Sequence, residues 1–306
     1  MKQGTFTIIA QRKIARDVYE MKLAGDIGAI TAPGQFVNVA VPGFTLRRPI
    51  SVCNVEPDEG GLEDLLGADG TAVVPGTLTL VYKVLGEGTK VLAELPAGTK
   101  LDLLSGLGNG YSDAASGDRP LLIGGGVGTP PLYLLARQLR DAGKEVTVVL
   151  GFNAADDAFY RDEFEALGCR VYISTVDGSL GTKGFVTDVM AKLEEQAARV
   201  NAALGTRVSA EAFAGEDDNV DLPADIASIL PPEEEALTAY TYFYACGPAP
   251  MLRAVSNVAA TSGQISMEER MGCGFGACMG CTLVTAKGPK RVCKEGPVFV
   301  KEDLLW

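Results

Sequence analysis

Residues 120–131 read Pro120-Leu-Leu-Ile-Gly-Gly-Gly-Val-Gly-Thr-Pro-Pro131, a short apolar strand followed by a glycine-rich turn and the start of a helix. Glycine lets a backbone approach a pyrophosphate closely, and a helix N-terminus offers N–H donors and positive potential to hold it. The turn departs from the strict G-x-G-x-x-G pattern, and glycine-rich turns also occur where the chain only reverses tightly. A second loop at the same place is needed before a dinucleotide site is predicted.

Such a loop is Cys246-Gly-Pro-Ala-Pro-Met251, which follows the apolar strand Thr241-Tyr-Phe-Tyr-Ala245. Strands alternate with helices between the two loops, which predicts a doubly wound parallel sheet with ligands at the carboxyl ends of its strands. The other predicted strands cover 145–151 and 170–175, and the predicted helices cover 130–140, 159–167, 186–192 and 250–260. Two loops at one sheet edge indicate a dinucleotide site, although Cys246 could instead be a small buried apolar residue.

The first hundred residues have the sequence pattern of a β-domain. Branched or alternating runs such as Thr5–Ile9, Gln35–Val41 and Leu78–Val84 are separated by proline and glycine turns, which is typical of a barrel or a sandwich. Within this region, Leu46-Arg-Arg-Pro-Ile-Ser51 places two cations beside a hydroxyl, a combination that suits phosphate but also occurs in exposed basic turns. Tyr82-Lys83 and Gly86-Glu-Gly-Thr89 add a stacking aromatic, a cation and another turn that a phosphate could approach.

Four cysteines near the C-terminus have the spacing of metal ligands. Cys273, Cys278, Cys281 and Cys293 follow the pattern C-x4-C-x2-C-x11-C, and glycines lie between the first three. The first two intervals match a plant-type [2Fe–2S] cluster, while the last is shorter than in plant-type ferredoxins. A structural zinc knot also uses four thiolates but usually pairs two C-x2-C units, and disulfides do not fit so clustered a set. We therefore expect an iron–sulfur cluster held by these four residues.

Composition limits the classes of function. A net charge of −12 argues against nucleic-acid or anionic-membrane partners, which need basic surface. The chain contains no histidine, which excludes Rieske ligation, histidine-based zinc hydrolysis and a Ser-His-Asp triad. No run of 18 apolar residues and no apolar signal core occur, so we expect a cytoplasmic protein without a membrane segment.

A length of 306 residues favours two domains and a cluster-bearing tail. We divide the chain into a β-domain over 1–104, an α/β domain over 105–262 and a cluster domain over 263–306. The acidic, alanine-rich stretch 193–240 interrupts the alternation of strands and helices. We expect a solvated insertion there, with a binding function as the alternative.

The order of these motifs resembles the ferredoxin-reductase-like flavoprotein family, in which a barrel with R-P-x-S and G-x-G-T precedes a nicotinamide domain with G-G-G-x-G-T-P-P and C-G-P. With the cysteine loop added, the chain resembles the electron-transfer subunits of heteromeric, NAD-linked dihydroorotate dehydrogenases. The likeness extends over nearly the whole chain and is most specific in Glu268-Glu-Arg-Met-Gly-Cys273. The segment 56–76 and the stretch after Lys192 are longer than the family pattern.

The resemblance implies a role for each matching position. It implies an antiparallel barrel that binds FAD, an α/β domain that binds NAD, and a [2Fe–2S] cluster. The FAD-binding positions are Arg48, Pro49, Ile50, Ser51, Val81, Tyr82, Lys83, Gly88 and Thr89. The nicotinamide-side positions are Gly124, Gly125, Gly126, Gly128, Thr129, Gly247 and Pro248, with Cys246 as the candidate catalytic residue at the meeting point of nicotinamide and flavin.

The same resemblance implies a partner. In such complexes a separate FMN-containing catalytic subunit oxidises dihydroorotate, and two copies of each subunit form a heterotetramer in pyrimidine biosynthesis. The chemistry is coherent, because a nicotinamide exchanges a hydride, a [2Fe–2S] cluster passes one electron, and a flavin does both. The alternatives are a related subunit that links ferredoxin or sulfide to NAD(P)H, and a non-catalytic zinc-binding scaffold. Carboxylates in the loop 152–157 favour NAD over NADP, although Arg161 lies nearby.

Overall fold

The structure is a computed structural model and describes residues 1–58, 72–213 and 239–306. Its first sheet is a closed antiparallel barrel in the order β1-β2-β5-β4-β3-β6. The strands are β1 (Lys2–Ala15), β2 (Val18–Asp26), β3 (Phe36–Val39), β4 (Arg48–Pro57), β5 (Pro75–Lys83) and β6 (Lys100–Leu107), and helix α1 (Glu87–Glu94) lies between β5 and β6.

The barrel closes because its strands alternate between interior and exterior residues. In β6, Leu101, Leu103, Ser105 and Leu107 are buried while the residues between them are half-buried. The inward side chains of the six strands form one apolar core with Leu92 of α1. The antiparallel barrel predicted for this region is confirmed.

The second sheet has seven strands in the order β10-β9-β8-β7-β11-β12-β15. The strands are β7 (Pro120–Gly125), β8 (Thr147–Phe152), β9 (Arg170–Thr175), β10 (Thr182–Lys183), β11 (Tyr242–Cys246), β12 (Gly263–Ser266) and β15 (Val298–Val300). Strands β13 (Thr282–Thr285) and β14 (Gly288–Arg291) form a separate hairpin between β12 and β15. Every pairing in this sheet is parallel except the antiparallel contact of β15 with β12.

Helices cover both faces of this sheet. They are α2 (Pro131–Asp141), α3 (Arg161–Ala166), α4 (Val186–Phe213) and α5 (Ala249–Val258). Leu132 of α2 and Phe164 of α3 pack on one face with Tyr244 of β11, whereas Met190 of α4 and Leu252 of α5 pack on the other with the neighbouring residue of that strand, Phe243. The doubly wound sheet is therefore confirmed.

One helix is longer than predicted. The predicted helix ends at Lys192, where a solvated insertion is expected to begin, but α4 continues to Phe213. The added segment is rich in alanine, glutamate and arginine, which have high helix propensity. The helix therefore continues past the point where the alternation of predicted strands and helices stops. The rest of the acidic stretch, 214–238, lies outside the described residues, as does 59–71 within the long segment 56–76.

The divisions after residues 104 and 262 stay predictions about folding units. Strand β6 runs across the first, and β12 and β15, which follow the second, pair into the seven-stranded sheet. The C-terminal segment also packs on the barrel, because Phe36 of β3 shares a buried apolar cluster with Cys281, Cys293 and Phe299. In the described ranges, no helix has both the length and the apolar character to span a bilayer.

Candidate functional site

The two predicted nicotinamide-side loops meet at the carboxyl edge of the second sheet. Gly124 and Cys246 lie opposite each other in the register of β7 and β11. The loops are so close that a Cβ at Gly128 would come 2.5 Å from the Gly247 nitrogen, and a Cβ at Gly125 would come 3.0 Å from Pro248 Cδ. Glycine is therefore required at both positions for the loops to pack together. The structure brings together the residues that the sequence analysis assigned to one site.

The turn into α2 has features that suit a polar ligand. Thr129 is fully buried, and its Oγ1 has no hydrogen-bond partner among the described atoms. Gly126 has a φ of +53°, and a Cβ there would meet nothing within 4 Å, so the turn leaves open space in front of the helix. An unpaired buried hydroxyl at an open glycine turn, in front of the positive end of a helix dipole, fits the pyrophosphate or ribose of a dinucleotide.

Cys246 ends β11 and is half-buried. Burial raises the pKa of its thiol to about 12, although hydrogen bonds with Ser266 and with the Gly247 N–H act in the opposite direction. The thiol is therefore neutral at physiological pH and is not a thiolate nucleophile. Beside it, a cleft of about 270 Å³ lies between the start of α5 and residues 267–270.

On the barrel, the predicted FAD residues Arg48 and Gly88 are in contact. The Arg48 guanidinium lies 5.0 Å from the centre of the Phe44 ring and donates a 2.5 Å hydrogen bond to the Leu46 carbonyl. A Cβ at Gly88, at the start of α1, would come within 2.6 Å of Arg48 Nε and Nη2. Because Gly88 has no side chain, the Arg48 guanidinium has room to lie over the N-terminus of α1. This arrangement suits the FAD pyrophosphate.

The neighbouring Arg47 has a different role. Its guanidinium forms a 2.6 Å ion pair with Asp102 and donates to the Asp102 carbonyl at 2.9 Å. This ion pair lowers the pKa of the Asp102 carboxyl. Of the two adjacent arginines, Arg47 is therefore part of the barrel structure, and Arg48 is the one placed to bind a ligand.

The other predicted FAD positions divide into exposed and buried ones. Pro49 is exposed, Ser51 and Lys83 are half-buried, and Ile50 and Val81 are buried. Tyr82 is 4% exposed, its hydroxyl donates to Gln11 at 3.0 Å, and its ring stacks on Tyr19 at 6.2 Å. The Thr89 hydroxyl accepts the Leu85 N–H at 3.0 Å and so shapes the turn before α1. Tyr82 thus supports the site from the barrel interior, and Thr89 supports it by holding the turn before α1.

The four predicted cluster ligands form two pairs in the C-terminal segment. The N–H groups of Ala277 and Cys278 point at Cys273 Sγ at 3.3 and 3.4 Å, and the Cys293 N–H points at Cys281 Sγ at 3.4 Å. A [2Fe–2S] cluster takes two thiolates on each iron, and N–H groups directed at sulfur stabilise the bound form. The donor set therefore fits the cluster.

Local geometry explains why this loop can hold sulfur atoms inward. Gly274 and Gly276 have φ angles of +78° and +93°, which few residues other than glycine adopt. Arg291 donates a 2.7 Å hydrogen bond to the Gly276 carbonyl and fixes the loop from the following hairpin. Burial raises the pKa of the Cys273 thiol, but hydrogen bonds from the Cys278 N–H and neighbouring N–H groups outweigh burial and lower the pKa to about 6. In the described part of the chain, no three carboxylate or thiol side chains converge on a single metal ion.

The C-terminal segment matches a known family model. Residues 268–305 match the model described as the iron-sulfur cluster binding domain of dihydroorotate dehydrogenase B. The chain is 35% identical over 312 residues to the dihydroorotate dehydrogenase B (NAD(+)) electron transfer subunit of Fusobacterium nucleatum, with 99% of each chain covered. It is 38% identical to the subunit of the same name from Geobacillus sp., with 100% of this chain and 99% of that one covered.

The chain belongs to this family of electron transfer subunits. It is also similar to a solved structure of NADH-dependent reduced ferredoxin-NADP oxidoreductase, with a TM-score of 0.71, 26% identity, and 98% and 90% of the two chains covered. Membership confirms the predicted oxidoreductase class, the ferredoxin-reductase-like fold and the FAD, NAD and [2Fe–2S] cofactors. The individual binding positions stay predictions that rest on the geometry described above.

Two residues at these sites were not predicted from the sequence. Phe44 supports the Arg48 guanidinium, and Asn38 contacts the cluster loop. A signal existed only for Asn38, which is a polar residue inside the otherwise apolar strand Phe36–Val39 and is fully buried there. For Phe44, the sequence gives no indication that its ring lies against an arginine four residues later.

Proposed function

We propose that this chain carries electrons between NAD(H) and an FMN-containing dihydroorotate dehydrogenase subunit through its own FAD and [2Fe–2S] cluster. The observation that carries the proposal is the packing of three sites on one chain. The barrel with Arg48 contacts both the α/β sheet that holds the paired glycine loops and the segment that holds the four cysteines. A relay requires all three to be held together, and family membership over the full length supplies the reaction class.

Each part of the relay is assigned to residues of this chain. Arg48 and the start of α1 at Gly88 hold the FAD pyrophosphate, while the turns at Gly124–Thr129 and Cys246–Pro248 hold the nicotinamide nucleotide. FAD supplies the exchange between hydride transfer and single-electron transfer when it is bound. Cys246 places a neutral thiol at the nicotinamide side, where it would contact the ring without adding, as a thiolate could, to the electrophilic ring carbon that accepts the hydride. Since the chain contains no histidine, we assign the proton chemistry of dihydroorotate to the partner.

The face around the cluster loop is the proposed docking surface for the FMN subunit. Phe275, Met279 and Val284 are 42%, 55% and 64% exposed, and the cluster ligand Cys278 is exposed beside them. Exposed apolar side chains grouped at a redox site suit a protein partner that must come close to the cluster. We also propose two copies of each subunit in the complex. We further propose a cytoplasmic location, because Cys53, Cys169 and Cys246, the cysteines outside the cluster loop, form no disulfide.

Reconstitution tests the proposal. The chain is purified with an FMN-containing dihydroorotate dehydrogenase subunit, and dihydroorotate-dependent reduction of NAD+ is followed at 340 nm, where NADH absorbs. The proposal expects activity from the complex and none from either subunit alone. If the complex forms, contains flavin and cluster, and still does not reduce NAD+ with dihydroorotate, the proposed function is wrong.

A second candidate function is exchange of electrons between ferredoxin and NAD(P)H. The 26% identical structure of NADH-dependent reduced ferredoxin-NADP oxidoreductase favours it. Higher identity, 35% and 38%, links the chain to the dihydroorotate subunits instead. Replacing dihydroorotate by reduced ferredoxin in the same assay separates the two, since only one donor should support NAD+ reduction.

A further inference from the structure

Asn38 connects the barrel to the cluster loop. Its Nδ2 donates a 3.1 Å hydrogen bond to the carbonyl of Cys273, the first cluster cysteine, and the residue is only 1% exposed. Its Oδ1 has no partner among the described atoms. Burying an amide costs free energy unless it is hydrogen-bonded. The contact with Cys273 therefore offsets part of the cost of a polar residue at this position of β3.

The backbone of Asn38 is tied to the strand that carries the proposed FAD residues. Asn38 lies directly opposite Pro49 in the β3–β4 register, and its carbonyl accepts a 3.3 Å hydrogen bond from Arg47. Directly opposite residues of antiparallel strands have Cβ atoms about 4.5–5.5 Å apart. Asn38 is thus one strand away from Arg48–Ser51 and in contact with the cluster loop.

The fit between β3 and the loop is close. A Cβ at Gly274, the residue after Cys273, would overlap Asn38 Nδ2. Only glycine therefore lets the loop backbone pack this closely against the Asn38 amide. Two residues earlier on the same face of β3, Phe36 belongs to the buried apolar cluster that contains Cys281 and Cys293. One face of β3 therefore contacts the loop at its first ligand and contributes to the apolar cluster that buries its last two.

We propose that Asn38 is a positioning residue for electron transfer between the flavin and the cluster. The proposal rests on the proposed function. By holding the Cys273 backbone against the strand next to the FAD segment, Asn38 fixes the distance between the two redox groups, on which the rate of electron exchange depends steeply. The step it serves moves one electron from the reduced flavin to the oxidised cluster, with no bond made or broken and with NADH as the source of electrons.

The experiment compares Asn38→Leu with the matched control Asn54→Leu. Asn54 is another buried barrel asparagine, 8% exposed, with an unpartnered Oδ1, and it pairs with Thr79 of β5. Each holoprotein is mixed rapidly with NADH, and flavin bleaching and the appearance of the reduced-cluster EPR signal are timed. Iron content, thermal unfolding and the EPR g-values of the reduced cluster are measured on the same samples.

We expect Asn38→Leu to keep its iron and to bleach its flavin at the wild-type rate. Reduction of its cluster should slow by about ten-fold or more, the range found when partners of metal ligands are removed. Its EPR signal should broaden because the Cys273 backbone is no longer held in one place. Asn54→Leu should show wild-type cluster reduction and an unchanged EPR signal, even if it unfolds at a lower temperature.

The outcomes separate this inference from the proposed function. If wild-type flavin does not reduce the cluster, the proposed function fails. If wild-type protein does so and Asn38→Leu does so at the same rate with the same EPR signal, positioning by Asn38 is wrong. It is also wrong if Asn54→Leu slows the step equally, or if Asn38→Leu loses its iron, which would show a role in cluster assembly. Should leucine unfold the barrel, Asn38→Asp has the same size without the amide donor, and the same results are expected.

Discussion

The phenol of Tyr160 in the α/β part of the chain donates a 2.8 Å hydrogen bond to the Glu20 carboxylate of the barrel. Glu20 is 6% exposed, and Arg12 donates to its other oxygen at 2.8 Å. The buried Cys53 thiol donates to the Tyr160 hydroxyl at 3.3 Å. Tyr160 has a φ of +67°, a left-handed conformation that costs about 1–3 kcal/mol outside glycine. The contacts of its side chain offset that cost and join the flavin barrel to the nucleotide sheet.

Replacing Tyr160 with phenylalanine should destabilise the protein by about 1–3 kcal/mol, because the buried Glu20 carboxylate loses a hydrogen-bond donor. Urea unfolding followed by circular dichroism gives the change in free energy. Tyr133→Phe is the matched control, since Tyr133 contacts Tyr160 edge-on through its ring and keeps that contact without its hydroxyl. Equal stability of Tyr160→Phe and wild type would show that the bond to Glu20 contributes nothing.

The same carboxylate predicts a dependence of stability on pH. Burial raises the pKa of Glu20, but the hydrogen bonds from Arg12 and Tyr160 outweigh it and leave the pKa below its ordinary value. A depressed folded-state pKa stabilises the fold above the unfolded value of about 4.3, and this contribution is lost as the pH falls through the folded value. The difference in unfolding free energy between wild type and Glu20→Gln should therefore be largest above pH 5 and shrink in acid. A difference that grows in acid would contradict this assignment.

Two glycines of one turn test the FAD cradle. Gly88→Ala places a methyl group against the Arg48 guanidinium, whereas a Cβ at Gly86 meets nothing within 4 Å. We expect Gly88→Ala to weaken FAD binding by about ten-fold or more, since a hydrogen bond to a charged group is worth about 1.5–3 kcal/mol. Gly86→Ala should have a much smaller effect. Fluorescence titration of the FAD-free proteins measures both, and equal affinities would argue against Arg48 as the phosphate-binding arginine.

Replacing Cys246 tests the role assigned to this residue at the nicotinamide site. We expect Cys246→Ala to slow flavin reduction by NADH by roughly ten-fold, because close placement of reacting groups is sensitive to small changes in the surrounding contacts. The rate in wild type should not vary between pH 6 and 9 through this thiol, whose pKa of about 12 keeps it neutral. Cys169→Ala, at a buried cysteine of the α/β core, is the control. A Cys246→Ala protein with the wild-type rate of flavin reduction would rule out the assigned role.

The sequence predicted architecture better than it predicted the role of individual side chains. The apolar run Pro120–Ile123 and the branched run Leu78–Val84 have patterns that local physics determines, and both formed the expected strands. Adjacent arginines look alike in a sequence, however. Only the distance between Arg47 and Asp102, which are far apart in the chain, shows that Arg47 is committed to the barrel.

Contacts between distant segments account for the other differences. The sequence suggested Tyr82 as a stacking aromatic, but only the closed barrel shows that its ring stacks on Tyr19. Asn38 and Cys273 are 235 residues apart, and no local pattern shows that they are hydrogen-bonded. The cysteine spacing was more informative because all four ligands lie within 21 residues, so the loop itself determines most of the geometry of the cluster.

The most direct test of the relay is rapid mixing of NADH with the complex of this chain and its FMN subunit, for wild type and for Cys278→Ser. Cys278 is the exposed ligand, so serine should remove the cluster pathway and leave the barrel and the sheet folded. We predict that NADH bleaches the FAD of both proteins at the same rate and that electrons reach the partner's FMN only in wild type. Reduction of the FMN at the wild-type rate in Cys278→Ser would contradict a relay through the four cysteines.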